Sequence, residues 1–124
     1  MTFTTFIQPA WLAVLVLWNF AVLAAAQLTI RLIMAFSVRA TLVAALALTA
    51  ASLLAAGAYD VALGAQPSLT TRLVWLPLPM AMEGLAGFAI ARWVLKFRRQ
   101  RGQIITGLMV GVLAPHTFAL LSSV

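Results

Sequence analysis

The chain has 124 residues, 65% of them hydrophobic and 8% charged, with a formal net charge of +6 and no cysteine. Soluble domains run at about 45–50% apolar and about 25% charged, and a chain this short cannot bury such an apolar excess against itself. Lipid is therefore the expected solvent, and the missing thiols exclude disulfides, thiolate metal sites and cysteine nucleophiles.

Four apolar stretches follow one another, each near the length of about 20 residues that crosses a bilayer. The N-terminal MTFTTFIQPAW has no basic stretch of the kind that opens a secretory signal, so the first apolar run reads as a retained span. That span covers about residues 9–30, with Pro9 in its opening turn and Trp11 at the depth of an interfacial belt. The second covers about 40–58, with Tyr59 and Asp60 marking its end. The third covers about 75–97, where Pro77 and Pro79 are expected to start a helix rather than kink one. The fourth covers about 103–122. The expected fold is all-α: one integral-membrane four-helix bundle over residues 1–124, with short loops and no soluble domain.

The cations set the orientation. Seven of the eight lie in two short stretches at the ends of apolar segments, which is a topology pattern and not a nucleic-acid footprint. Arg31 and Arg39 fall in the first connection, and Lys96, Arg98, Arg99 and Arg101 in the third. The second connection has no cation before Arg72, and both termini have none. Positive loops stay in the cytoplasm, so both termini are expected outside (N-out, C-out). The expected location is a bacterial inner (cytoplasmic) membrane, and Arg92 is expected to snorkel from the third span to its surface. The cationic connection also lies where an anionic leaflet would meet it.

Helices in lipid associate through small residues that let backbones approach. The second span offers Ala47, Ala51 and Ala55 at four-residue spacing, beside a second stripe of Thr41, Ala45, Thr49, Ser52 and Ala56. The third offers Gly84 and Gly87, and the fourth offers Gly107 and Gly111 as a GxxxG pair. Packing within one bundle is the expected use of these stripes, and an interface between copies is the alternative.

Few polar side chains fall inside the spans. Glu83 is their only acid and His116 the only histidine of the chain, with Asn19 and Gln27 as amides of the first span. Ionisable groups at membrane depth are functional candidates by default. At 1.5 Å rise per residue, Asn19 falls about 15 Å, Glu83 about 10–12 Å and His116 about 9–10 Å below the outer ends of their expected helices. If turned inward, the three form one polar level in the outer half, able to share a proton, hold a cation or bind a polar ligand. The structural alternative is interhelical glue for Asn19, a hydrogen-bonded protonated acid for Glu83, and backbone satisfaction next to Pro115 for His116.

No Walker loop, HExxH, GxSxG or paired-carboxylate motif occurs, and one histidine with two acids cannot assemble a catalytic triad, so no enzyme activity or protein-ligated metal is expected. The leading functional reading is a non-catalytic membrane subunit, or accessory component of a larger membrane assembly, packing through its helices. Its expected partners are lipids, other transmembrane subunits or copies of itself, and not nucleic acid. The alternative is a small oligomeric proton- or ion-coupled transporter or channel using Glu83 with His116. A weaker alternative is a haem- or chlorophyll-type ligand on His116, since such a ligand needs only one axial histidine.

Overall fold

Each helix begins and ends where local chemistry dictates. In the computed structural model, which describes residues 8–30, 37–65 and 68–113, the chain is helical and contains no strand among those residues. Helix α1 spans Pro9–Thr29, and its proline occupies the first turn, where a missing N–H costs nothing. Helix α2 spans Val38–Leu63. Ser37 caps its N-terminus, Oγ accepting from the Ala40 N–H at 3.3 Å, and Gly64 closes it at φ +71°, a conformation that glycine adopts without strain. Helix α3 spans Leu69–Trp75 behind a Ser68 cap. Helix α4 spans Pro77–Trp93, and α5 spans Gln100–Val112.

Three stretches are long and apolar enough to cross a membrane: Pro9–Thr29, Val38–Leu63 and Leu69–Trp93. The last joins α3 and α4 through Leu76, whose backbone is itself right-handed helical. The helical run thus begins six residues ahead of the expected 75. Pro77 does start α4, but two helical turns precede it, because the prolines remove only N–H donors and the chain stays helical through Leu76. The same span stops at Trp93, four residues short of the expected end. There the Leu95 N–H donates to Ile90 O at 2.9 Å and the Phe97 N–H to Ala91 O at 2.9 Å, a widened final turn closed by Lys96 at φ +57°. The second span runs past the expected 58 to Leu63, since Tyr59 and Asp60 are helical. Helix α5 begins at Gln100, ahead of the expected 103, and the later part of the expected fourth span lies outside the described residues.

The four longer helices form a closed ring of neighbours: α1 on α2, α2 on α4, α4 on α5, and α5 back on α1. Val22, Leu23, Ala44, Ala45, Leu48, Ile90 and Val110, drawn from all four helices, are buried together at its centre. Leu15 and Ala56 continue the packing along α1 and α2, under Trp11, Leu12 and Leu53. At one end of α2, the Tyr59 hydroxyl donates to Arg72 O at 2.8 Å and ties α3 to the bundle.

Candidate functional site

The seam between α1 and α2 is polar. Asn19, only 2% exposed, donates from Nδ2 to Thr49 Oγ1 at 3.1 Å and to Ser52 Oγ at 3.4 Å. Those hydroxyls in turn donate to their own helix, Thr49 to Ala45 O at 2.8 Å and Ser52 to Leu48 O at 3.0 Å. A second rung repeats the scheme: Gln27 Nε2 donates to Thr41 Oγ1 at 2.9 Å, and Thr41 donates to Ser37 O at 2.8 Å. Asn19 and Gln27 are eight positions apart on α1, as are Thr49 and Thr41 on α2, the register of an antiparallel helix pair. The two rungs lie about 12 Å apart along the helices.

Two small-residue stripes on α2 compete for this seam, and the structure selects between them. Thr41, Ala45, Thr49, Ser52 and Ala56 are all buried. Of the expected stripe of Ala47, Ala51 and Ala55, Ala55 is buried, Ala51 is half-buried and Ala47 is exposed. Ala47 thus faces outward, away from the packing within the chain. The reason is chemical: the hydroxyls of Thr41 and Thr49 must face the amides of α1, and that phase turns Ala47 away.

The seam between α4 and α5 is built of glycine. A Cβ placed on Gly107 would lie 2.9 Å from Gly84 O, and one on Gly111 would lie 3.1 Å from Met80 O. One on Gly84 would lie 3.2 Å from Gly107 O, and one on Gly87 would strike the Val110 Cβ at 2.7 Å. Gly84, Gly87, Gly107 and Gly111 therefore bring two backbones of the same chain into contact. At the end of α5 the Trp18 indole of α1 donates to Leu113 O at 2.6 Å, satisfying one of the carbonyls that a helix C-terminus leaves open.

Glu83 lies on the inward face of α4 and is 1% exposed, on the side that also buries Pro79, Gly87, Ile90 and Ala91. It sits beside the glycine seam, whereas both amide hydrogens of Asn19 are used within the α1–α2 seam. His116, the third member of the expected polar level and the expected haem or pigment ligand, lies outside the described residues. Among the described residues no three side chains of metal-ligating type come together.

The chain matches no family model, no curated protein and no solved structure. Its reading therefore rests on its own geometry.

Of the described basic residues, all but Arg72 gather at one end. Arg39 is exposed in the first turn of α2, Lys96, Arg98 and Arg99 are exposed in the α4–α5 connection, and Arg101 is exposed in the first turn of α5. Arg31 lies outside the described residues. The Arg92 guanidinium sits 5.2 Å from the centre of the exposed Trp93 ring, a cation–π contact at the end of α4. Two features of this end were not legible in the sequence. Lys96 takes a left-handed backbone that nothing in its neighbours announces. Gln103, which the sequence offered only as the start of a span, donates from Nε2 to Phe97 O at 2.8 Å and fastens the basic connection to α5.

Proposed function

We propose that the chain is a non-catalytic integral-membrane subunit, or accessory component, of a larger membrane assembly. In this reading four helices cross a bacterial cytoplasmic membrane with both termini outside. The observation that carries it is the division of surfaces. The amides of the described spans are spent on partners in their own chain. The outside is apolar, with Val61 84%, Leu54 71%, Leu85 71% and Leu17 70% exposed. Such a surface meets lipid or other apolar helices, so partners would be met inside the bilayer. Native purification in mild detergent followed by cross-linking tests this. A partner recovered through α2 or α4 is the expected result, and a monodisperse lone monomer overturns it. Because the chain has no cysteine, single cysteines at Thr70 and Gln100 read the orientation directly. A membrane-impermeant thiol reagent applied from outside is expected to label Thr70→Cys and spare Gln100→Cys.

The burial of Glu83 favours a second reading, a small oligomeric transporter or channel coupled to protons or cations. A carboxyl group taken out of water at membrane depth is costly and is retained where it has a use. Proteoliposome flux as a function of pH, wild type against Glu83→Gln, tests it. Transport that survives the substitution with its pH dependence intact eliminates Glu83 as the coupling group.

A further inference from the structure

The end of the bundle that carries the cations also holds a cavity of about 940 Å³. The end of α1, the start of α2 and the α4–α5 connection line it. Lys96, Arg98, Arg99 and Arg101 line it on the connection side, and Ile30 and Leu95 give it an apolar wall. We propose that this cavity is a binding site for the phosphate headgroup of an anionic phospholipid, with the first part of an acyl chain against the apolar wall.

Three observations carry the assignment beyond what membrane orientation requires of a basic loop. The first is charge balance. The sequence holds two acids, Asp60 near the far end of α2 and Glu83 buried on α4, and neither lines the cavity. Four cations therefore line one space with no Asp or Glu of the chain beside them, an arrangement suited to an anion from outside. The second is rigidity. A loop that only marks the cytoplasmic side needs no fixed shape. This one is fastened at Phe97, whose N–H donates to Ala91 O, whose carbonyl accepts from Gln103, and whose ring is buried. Gly102 at the start of α5 lies against Ile30, and a Cβ there would sit 3.4 Å from the Ile30 side chain, in ordinary contact, so the apolar wall adjoins the basic one. Preorganisation of this kind lowers the ordering cost of binding. The third is Lys96, held at φ +57° where glycine would be unstrained. Left-handed backbone at a non-glycine residue is disfavoured and concentrates at functional positions.

The chemistry of the pocket selects the class of ligand. Guanidinium groups pair with phosphate oxygens through planar, two-pronged hydrogen bonds. Arg99 caps the start of α5; the Gly102 and Gln103 N–H groups donate back to its carbonyl, which leaves the N–H groups of Gln100 and Arg101 at a helix start, a place that favours an anion. A soluble phosphate would satisfy these groups but would leave the wall of Ile30 and Leu95 unused.

The test is thermal unfolding of the purified full chain in a neutral detergent, titrated with phosphatidylglycerol, phosphatidylcholine or inorganic phosphate. Phosphatidylglycerol is expected to raise the unfolding temperature in a saturable way, with the other two additions leaving it unchanged. Removing one basic side chain is expected to weaken apparent affinity about fivefold, so Arg101→Gln loses about fivefold and the Arg98→Gln/Arg99→Gln pair about 25-fold. Gln103→Leu keeps every charge and unfastens the loop, and it is expected to weaken phosphatidylglycerol binding as well. An equal response to phosphatidylcholine overturns the proposal. So does an equal response to inorganic phosphate, which would make the ligand a soluble anion. Unaltered affinity in both Arg101→Gln and Gln103→Leu also overturns it, and Arg101→Gln decides alone if Gln103→Leu does not fold. The measurement is made on the isolated chain, so its outcome does not depend on whether the chain joins an assembly.

Discussion

The α1–α2 seam and the α4–α5 seam solve the same problem by opposite means. Helices in an apolar solvent gain little from hiding apolar surface from one another, so contact must come from polar bonds or from close backbone packing. Helices α1 and α2 use polar bonds, with two amides donating to hydroxyls at well-separated levels. Helices α4 and α5 use close packing, with Gly84, Gly107 and Gly111 set against backbone oxygens of the opposite helix and Gly87 against the Val110 side chain. The polar seam is tolerant. Each hydroxyl of α2 already donates to a carbonyl one turn back, so losing an amide leaves no hydroxyl hydrogen unbonded. The glycine seam is not, because a backbone oxygen opposite Gly84, Gly107 or Gly111 cannot move aside as the end of a side chain can.

The largest effects are therefore expected at the glycines. Alanine gains up to about 1 kcal/mol over glycine through helix propensity, but overpacking a close contact costs about 1–3 kcal/mol. At Gly107 and Gly87 the contacts are short enough for the clash to win, leaving a net loss of about 1–2 kcal/mol in detergent unfolding. The two sites differ in what they strike. A Cβ at Gly87 meets the Val110 side chain, so Val110→Ala is expected to relieve Gly87→Ala in a double-mutant cycle. A Cβ at Gly107 meets Gly84 O first, and Val110→Ala should leave that loss unchanged. Relief of both by one partner would show that the seam moves as a soft side-chain interface and would erase the contrast with α1–α2.

This contrast was half legible in the sequence. The apolar runs and their approximate ends could be read because hydrophobic length is a property of consecutive residues. Gly84, Gly87, Gly107 and Gly111 could be read as close-packing positions, but not as facing one another, since a glycine carries no mark of its partner. Ala47 shows the limit on α2. Its stripe and the Thr41–Thr49 stripe are both small, and only the amides of α1 decide which turns inward. The α3–α4 junction shows another limit. Pro77 is equally good at the start of a helix and just after a preceding one, and the helical run begins at Leu69, ahead of the expected 75. Glu83 could be found from its rarity in an apolar span, whereas the left-handed backbone of Lys96 could not, because no neighbouring residue type marks it.

Smaller effects are expected on the polar side. Asn19→Leu removes two donations, and Gln27→Leu removes one to a hydroxyl. Hydrogen bonds between membrane helices average about 0.6 kcal/mol and reach about 1.7 kcal/mol, so each substitution should lie in that range. Gln27, with the shorter bond to α2 at 2.9 Å, is expected to approach the loss at Asn19 despite making one interhelical bond fewer. Losses above about 2 kcal/mol at either site would show that the amides hold something beyond the hydroxyls of α2, and would bring Asn19 back toward a role beside Glu83.

The smallest effect is expected at Ala47, and it separates the fold from the assembly. Ala47 lies on the same helix as Ala45, two positions away, yet Ala45 is fully buried and Ala47 faces outward. Ala45→Leu would force a large side chain into the centre of the ring, whereas Ala47→Leu should change the stability of the isolated chain by no more than about 0.5 kcal/mol. The same Ala47→Leu substitution is a probe of the outer surface of α2. Small exposed residues there, Ala47 and Ala50, share the face with the larger exposed Val43, Leu46 and Leu54. If α2 carries the contact with a partner subunit, Ala47→Leu reduces recovery of that partner while the unfolding temperature of the lone chain stays where it was. If recovery is unchanged, the contact runs along another face, and α4 with its exposed Leu78, Ala81 and Leu85 becomes the next to test.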